Sequence, residues 1–134
     1  MGQKQNDVGR YAMNEVLTAE TIQKLTQPIL EKGFVFEYFY EKGGDSSCVY
    51  ICRFKKGRDF FDWREVSGGS EINLVTFVGG EYGFPSLKFL YPKEYRAFHM
   101  KHLFRKPSVQ ERREFFASLL IKELQKPDFF GIKI

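Results

Sequence analysis

With 134 residues, 43% of them hydrophobic and 28% charged, the chain is long enough for one buried core and too apolar to be disordered. Aromatic residues make up 17%, with 15 phenylalanines, and side chains this large favour a sheet covered by a few helices with edge-to-face ring contacts. The formal net charge of +4 is unevenly spread: the balance is −2 over residues 1–47, +1 over 48–92 and +5 over 93–134, so an acidic or polyanionic partner would meet the C-terminal third.

The two cysteines, Cys48 and Cys52, fall in one extended run. On a strand they share a face about 13 Å apart, at ~3.3 Å per residue, too far for a mutual disulfide. A reducing compartment is expected. No apolar run reaches the ~18 residues of a membrane span. The polar N-terminus has no signal-peptide h-region, and Asn6 stands where a myristoylation motif has Ser or Thr. A soluble, cytoplasmic protein without membrane association is expected.

Residues 1–16 are polar with scattered Tyr11, Met13 and Val16, and read as an arm with room for a helical turn. A helix is predicted over 18–32. Thr18 is its N-cap, Leu17 and Ile22 have the spacing of a hydrophobic staple, and Ile22, Leu25 and Ile29 recur at helical intervals. Pro28 predicts a kink or break, and Gly33 a stop.

Four runs rich in aromatic and β-branched residues follow, at 34–42, 48–56, 59–66 and 71–78, separated by glycine-bearing turns. Turn chemistry predicts the register. Gly43-Gly44-Asp45-Ser46-Ser47 sets Tyr38 opposite Cys52 and Glu37 opposite Arg53. Gly57-Arg58 fits a type II′ turn, setting Cys52 opposite Trp63 and Arg53 opposite Asp62. Ser67-Gly68-Gly69-Ser70 sets Trp63 opposite Leu74 and Arg64 opposite Asn73. The three registers agree, and a one-residue slip would invert a strand's faces. One face then collects Phe34, Phe36, Tyr38, Tyr40, Tyr50, Cys52, Phe54, Phe61, Trp63, Ile72 and Leu74, and is the predicted core face.

After the sheet, residues 79–86 read as a loop and 87–91 as a fifth strand. Pro92 opens a helix over 93–104. Ser108 with Glu111 forms a capping box for a helix to about Lys126, whose stripe is Phe115, Phe116, Leu119, Leu120 and Leu124. Pro127 ends it, and the apolar tail DFFGIKI is expected to pack as a short strand or a hydrophobic plug. The predicted fold class is α+β, in one domain over 1–134: a four- to five-stranded antiparallel meander with an N-terminal helix and C-terminal helices packed on its aromatic face. This order resembles that of many small bacterial domains, immunity-type ones among them, a likeness of architecture that implies no particular activity.

The second face of the sheet carries the first candidate site. Glu37, Arg53 and Asp62 form one row and Arg64 with Asn73 the next, ringed by Phe39, Ile51, Phe60 and Phe77. The ordinary reading is a solvated face whose ion pairs contribute well under ~1 kcal/mol each. A second ordinary reading is a buried network under a helix or the C-terminal tail. The functional reading is a patch for a protein partner or a second copy, because fixed charges among large apolar groups resemble an interface.

The basic, aromatic stretch from Lys88 to Arg113 carries the alternative. Lys88, Lys93, Arg96, Lys101, Arg105, Lys106, Arg112 and Arg113, with His99 and His102, face only Glu94 and Glu111 in the same stretch. Cations of this density neutralise phosphates and exposed rings stack on bases, so nucleic acid or another polyanion is the alternative partner. The ordinary reading has the rings in the core and the charges on the outer helix surface, and no nucleic-acid motif accompanies them.

Other chemistry has little support. His99 and His102 lie one helical turn apart but lack a third ligand, so no metal site and no cofactor are expected. The 79–86 loop lacks the Gly-Lys-Ser/Thr of a phosphate-binding loop, although Tyr82 and Phe84 could rim a small-molecule site. Both cysteines sit on the core face, no Gly-x-Ser-x-Gly elbow occurs, and no catalytic residue is assigned. The expected function is a non-enzymatic protein-interaction module.

Overall fold

The computed structural model describes residues 10–42, 48–66, 69 and 71–134, without the side chains of residues 10–17, 42 and 48. The turn at 43–47, the turn around 67–70 apart from Gly69, most of the N-terminal arm and the Cys48 side chain therefore lie outside the described residues.

The first helix, α1, spans Arg10–Leu25. Residues 10–16 are thus helical rather than part of an arm, and Thr18 is a buried interior residue rather than an N-cap. The segment RYAMNEVL contains neither Gly nor Pro, and a lone Thr does not stop a helix that can extend through good formers. The break comes at Thr26, whose Oγ1 donates to Ile22 O at 2.6 Å. Pro28 lacks an N–H, and the chain restarts as the short α2, Gln27–Leu30.

Strands β1 (Val35–Lys42), β2 (Cys48–Lys56), β3 (Asp59–Val66) and β4 (Glu71–Val78) form the expected meander in the expected register. Tyr38 pairs with Cys52, Glu37 with Arg53, Arg53 with Asp62, Cys52 with Trp63, Trp63 with Leu74 and Arg64 with Asn73. Gly57 has φ +66 while Arg58 is not at positive φ, the pattern of a type II′ turn.

The fifth strand differs from the sequence expectation. Gly79 and Gly80 both lie at positive φ and make a two-residue hairpin, so β5 is Glu81–Gly83, beside β4. Residues 79–86 are not simply a loop. The 87–91 segment is helical instead: α3, Leu87–Leu90, starts where Ser86 Oγ accepts from Phe89 N–H at 3.4 Å. Pro85, which cannot donate to a ladder, followed by an N-cap serine favours this outcome over a strand.

Helix α4 spans Pro92–Lys101 and α5 spans Val109–Glu123. The capping box is complete: Glu111 N–H donates to Ser108 Oγ at 3.0 Å, and Ser108 N–H donates to Glu111 Oε1 at 2.8 Å. The tail closes as a hairpin of β6 (Asp128–Phe129) and β7 (Ile132–Lys133), whose Phe129 and Ile132 are buried.

The helices and the tail hairpin pack on the aromatic face of the sheet. Trp63 meets Phe116 of α5 edge-on at 4.9 Å, Phe61 stacks on Phe54 at 4.5 Å, and Phe129 lies 5.0 Å from Phe61. Ile22, Ile29, Leu87, Leu119 and Leu120 complete this core. Full burial of each such side chain contributes about 1.5–3 kcal/mol. Among the described residues, no helix is long and apolar enough to cross a membrane.

Candidate functional site

The second sheet face is built by alternation. With Phe54, Phe61, Trp63 and Leu74 turned to the core, Glu37, Arg53, Asp62, Arg64 and Asn73 must point the other way. Arg53 grips Asp62 with both ends of its fork, Nε to Oδ1 at 2.8 Å and Nη2 to Oδ2 at 3.0 Å. Its guanidinium lies 3.9 Å from the Phe60 ring centre and 5.1 Å from that of Phe39. The hydrogen bond to Asp62 raises the Arg53 pKa further above its ordinary value, with Glu37 among the smaller contributors. Phe60 stacks on Phe77 at 5.2 Å, and Tyr82 from β5 leans on Phe77 at 4.9 Å.

These contacts join strands to strands, while the core contacts of α1 to α5 and of the tail hairpin lie on the opposite face. The centre of the second face is nonetheless dry, with Ile51, Phe60, Asp62 and Val75 buried beneath their neighbours. Its margins are open: Val35, Phe39 and Tyr82 are 61%, 39% and 65% exposed. Arg64 is half-buried and Asn73 exposed.

The basic segment divides into two populations. Some of its cations are engaged. Arg113 holds Glu65 through two bonds of 2.8 Å, Arg112 Nε donates to Gly69 O at 3.2 Å, and Arg105 Nη2 reaches Glu111 at 3.2 Å. Lys88, Lys93, Arg96, Lys101 and Lys106 are exposed and make no ion pair among the described residues. The rings divide likewise. Tyr95 and Phe98 pack on Phe115 of α5, at 4.9 and 4.2 Å, whereas Phe89 is 88% exposed.

Between α3, α4 and the segment leading into α5 runs a groove of about 900 Å³, with Lys88, Arg96, His99 and Lys106 beside Phe89 and Phe98. A smaller cleft of about 430 Å³ opens at the β4 edge, where Arg64 and Asn73 face Phe84 and Lys88. Ser86, Lys88 and Tyr95 line both, so the two cavities adjoin. Neither is lined by a carboxylate.

His102 turns inward, its Nδ1 2.9 Å from Phe98 O and its Nε2 at a long 3.5 Å from Glu111 Oε2, while His99 is exposed. Among the described residues, no three His, Cys, Asp or Glu side chains cluster as metal ligands. Cys52 is buried on the core face, and burial, with Glu65 nearby, pushes its thiol pKa well above the ordinary range. That environment suits packing rather than nucleophilic attack.

Sequence reasoning missed the Glu65–Arg113 pair. Glu65 is fully buried on the core face, two residues beyond Trp63, and accepts a third bond from Trp63 Nε1 at 3.1 Å. The strand alternation that placed Trp63 inside places Glu65 inside as well. No family model, curated protein or solved structure matches the chain.

Proposed function

We propose that the chain is a non-enzymatic interaction module that docks the open face of its sheet against a second copy of itself. The observation that carries this reading is the exposure of Val35, Phe39 and Tyr82 around a rigid centre held by Arg53 and Asp62. Apolar groups fixed on strands need no ordering when they bind, and a dry centre with oriented polar groups matches the anatomy of an interface. The face also carries both signs of charge along one row, Glu37 and Asp62 flanking Arg53, which permits self-complementary contact about a two-fold axis.

Sedimentation velocity at increasing protein concentration tests the proposal. The wild type is expected to form a dimer that changes little with salt. Phe39→Lys and Tyr82→Lys, both at exposed positions, each weaken it about tenfold or more while the monomer still unfolds in one cooperative transition. A wild type that sediments as a monomer throughout the micromolar range overturns the reading, as does a dimer indifferent to both substitutions.

A further inference from the structure

We infer that the adjoining groove and cleft bind single-stranded nucleic acid, with the sugar-phosphate backbone along Arg64, Lys88, Arg96 and Lys106 and bases stacked on Phe89 and Phe84. Charge complementarity commits the occupant. Each of these cations lines one or both cavities, no carboxylate lines either, and none of the four is tied up in an ion pair among the described residues. The other arginines of the segment are engaged elsewhere: Arg105 by Glu111, Arg113 by Glu65 and Arg112 by the Gly69 carbonyl. Lys93 and Lys101 of α4 also make no ion pair among the described residues but line neither cavity, so the concave surface is set apart by holding cations beside exposed rings with no carboxylate among them.

The rings decide between strands and duplexes. Phe89 and Phe84 are 88% and 76% exposed, at the groove and the cleft respectively. Large rings left in water beside unpaired cations form a stacking platform for unstacked bases. A double helix keeps its bases stacked inside and offers them no ring face. The rigid parts are what hold the platform in place. Leu87 is buried, Tyr91 donates to the buried Glu123 at 2.6 Å, and Phe98 stacks on Phe115, so α3 and α4 are anchored to α5 beneath the groove. This inference does not depend on the sheet-face dimer.

The test is fluorescence anisotropy with a labelled deoxythymidine or uridine oligomer of about a dozen nucleotides, within the site sizes of single-strand binders. Neutralising four phosphates predicts that affinity falls about 50-fold between about 50 and 200 mM salt, from a slope of about −0.7 per contact. Lys88→Glu and Arg96→Glu each weaken binding and flatten that slope. Phe89→Ala weakens it about fivefold or more at fixed salt and leaves the slope unchanged. Phe104→Ala, at a fully exposed ring outside both cavities, changes nothing.

The Phe39→Lys variant binds the oligomer as the wild type does, which separates this site from the Phe39 end of the sheet face. Absence of binding at low salt, or wild-type affinity in Phe89→Ala, overturns the inference. So does equal affinity for the matching duplex or for poly-glutamate, because either marks undirected charge attraction. A free mononucleotide that binds as tightly as the oligomer would identify a small-molecule pocket instead, and overturns it too.

Discussion

Arg113 of α5 holds both carboxylate oxygens of Glu65 of β3, Nε to Oε2 and Nη2 to Oε1, each at 2.8 Å. The pair clamps the C-terminal helix to the middle of the sheet, with Trp63 Nε1 completing the carboxylate's bonds at 3.1 Å. The Glu65 side chain is wholly buried and that of Arg113 is 14% exposed. Removing either partner strands a charge in the core, so Glu65→Ala or Arg113→Ala is expected to cost about 3–5 kcal/mol. Replacing both, as Glu65→Leu with Arg113→Met, is expected to recover part of that loss, because two desolvated charges are exchanged for packed apolar groups while the buried Trp63 Nε1 loses its acceptor. Urea unfolding followed by Trp63 fluorescence measures all three variants. A double variant no more stable than either single one contradicts a charge-stranding effect.

The Arg53–Asp62 pair predicts an asymmetry. The Asp62 side chain is 7% exposed and that of Arg53 is 28% exposed. Arg53→Ala leaves a nearly dry carboxylate without its partner and uncovers the Phe60 ring, at a cost of about 2–4 kcal/mol. Asp62→Ala leaves a guanidinium that still reaches water and still lies over Phe60, at about 1 kcal/mol. Denaturant midpoints of the two variants check the order. Equal losses would mean that the two ends of the pair are equally solvated.

Most of the sheet was legible from sequence because three separate turns had to agree on one set of faces. Tyr38, Cys52, Trp63 and Leu74 are in one row, and so are Glu37, Arg53 and Asp62. The capping box at Ser108 and Glu111 was legible for a similar reason, since its two hydrogen bonds require fixed residue types at fixed spacing. What was hidden depends on competition between local signals or on contacts distant in sequence. Thr18 resembles a cap, but nothing before it breaks the helix. The aromatic and apolar residues of 87–91 suit a strand, yet Pro85 and Ser86 start a helix. The separation of engaged from unengaged cations depends on partners 43 and 48 residues away, at Gly69 and Glu65, which local pattern cannot supply.

Cys52 gives a chemical check on the core face. Its thiol is buried between strands, and burial together with Glu65 holds its pKa above the ordinary value. The reactive thiolate is therefore scarce at mild alkaline pH. In a Cys48→Ser background, Cys52 is expected to react with a disulfide reagent at least about 100-fold more slowly in the native protein than in the urea-unfolded chain. Thiol release followed by absorbance reads both rates. Rapid native labelling would place Cys52 at an accessible surface.

Glu111 links the start of α5 to pH. The Ser108 N–H, then Arg105, holds its carboxylate pKa down at about 2, against an ordinary value of 4.5. A folded pKa below the unfolded one means that the charged form is preferred in the folded chain. The capping contribution is therefore fully present above about pH 4.5 and is lost as pH falls toward 2. Carbon-detected NMR of the Glu111 carboxyl is expected to show a midpoint near 2, with the Ser108 amide signal shifting in the same window. Glu111→Gln keeps an acceptor for the Ser108 N–H but has no charge to titrate, so the Ser108 shift in that window disappears while α5 stays helical. A wild-type midpoint near 4.5 would show that the bonds to Ser108 and Arg105 do not persist in solution.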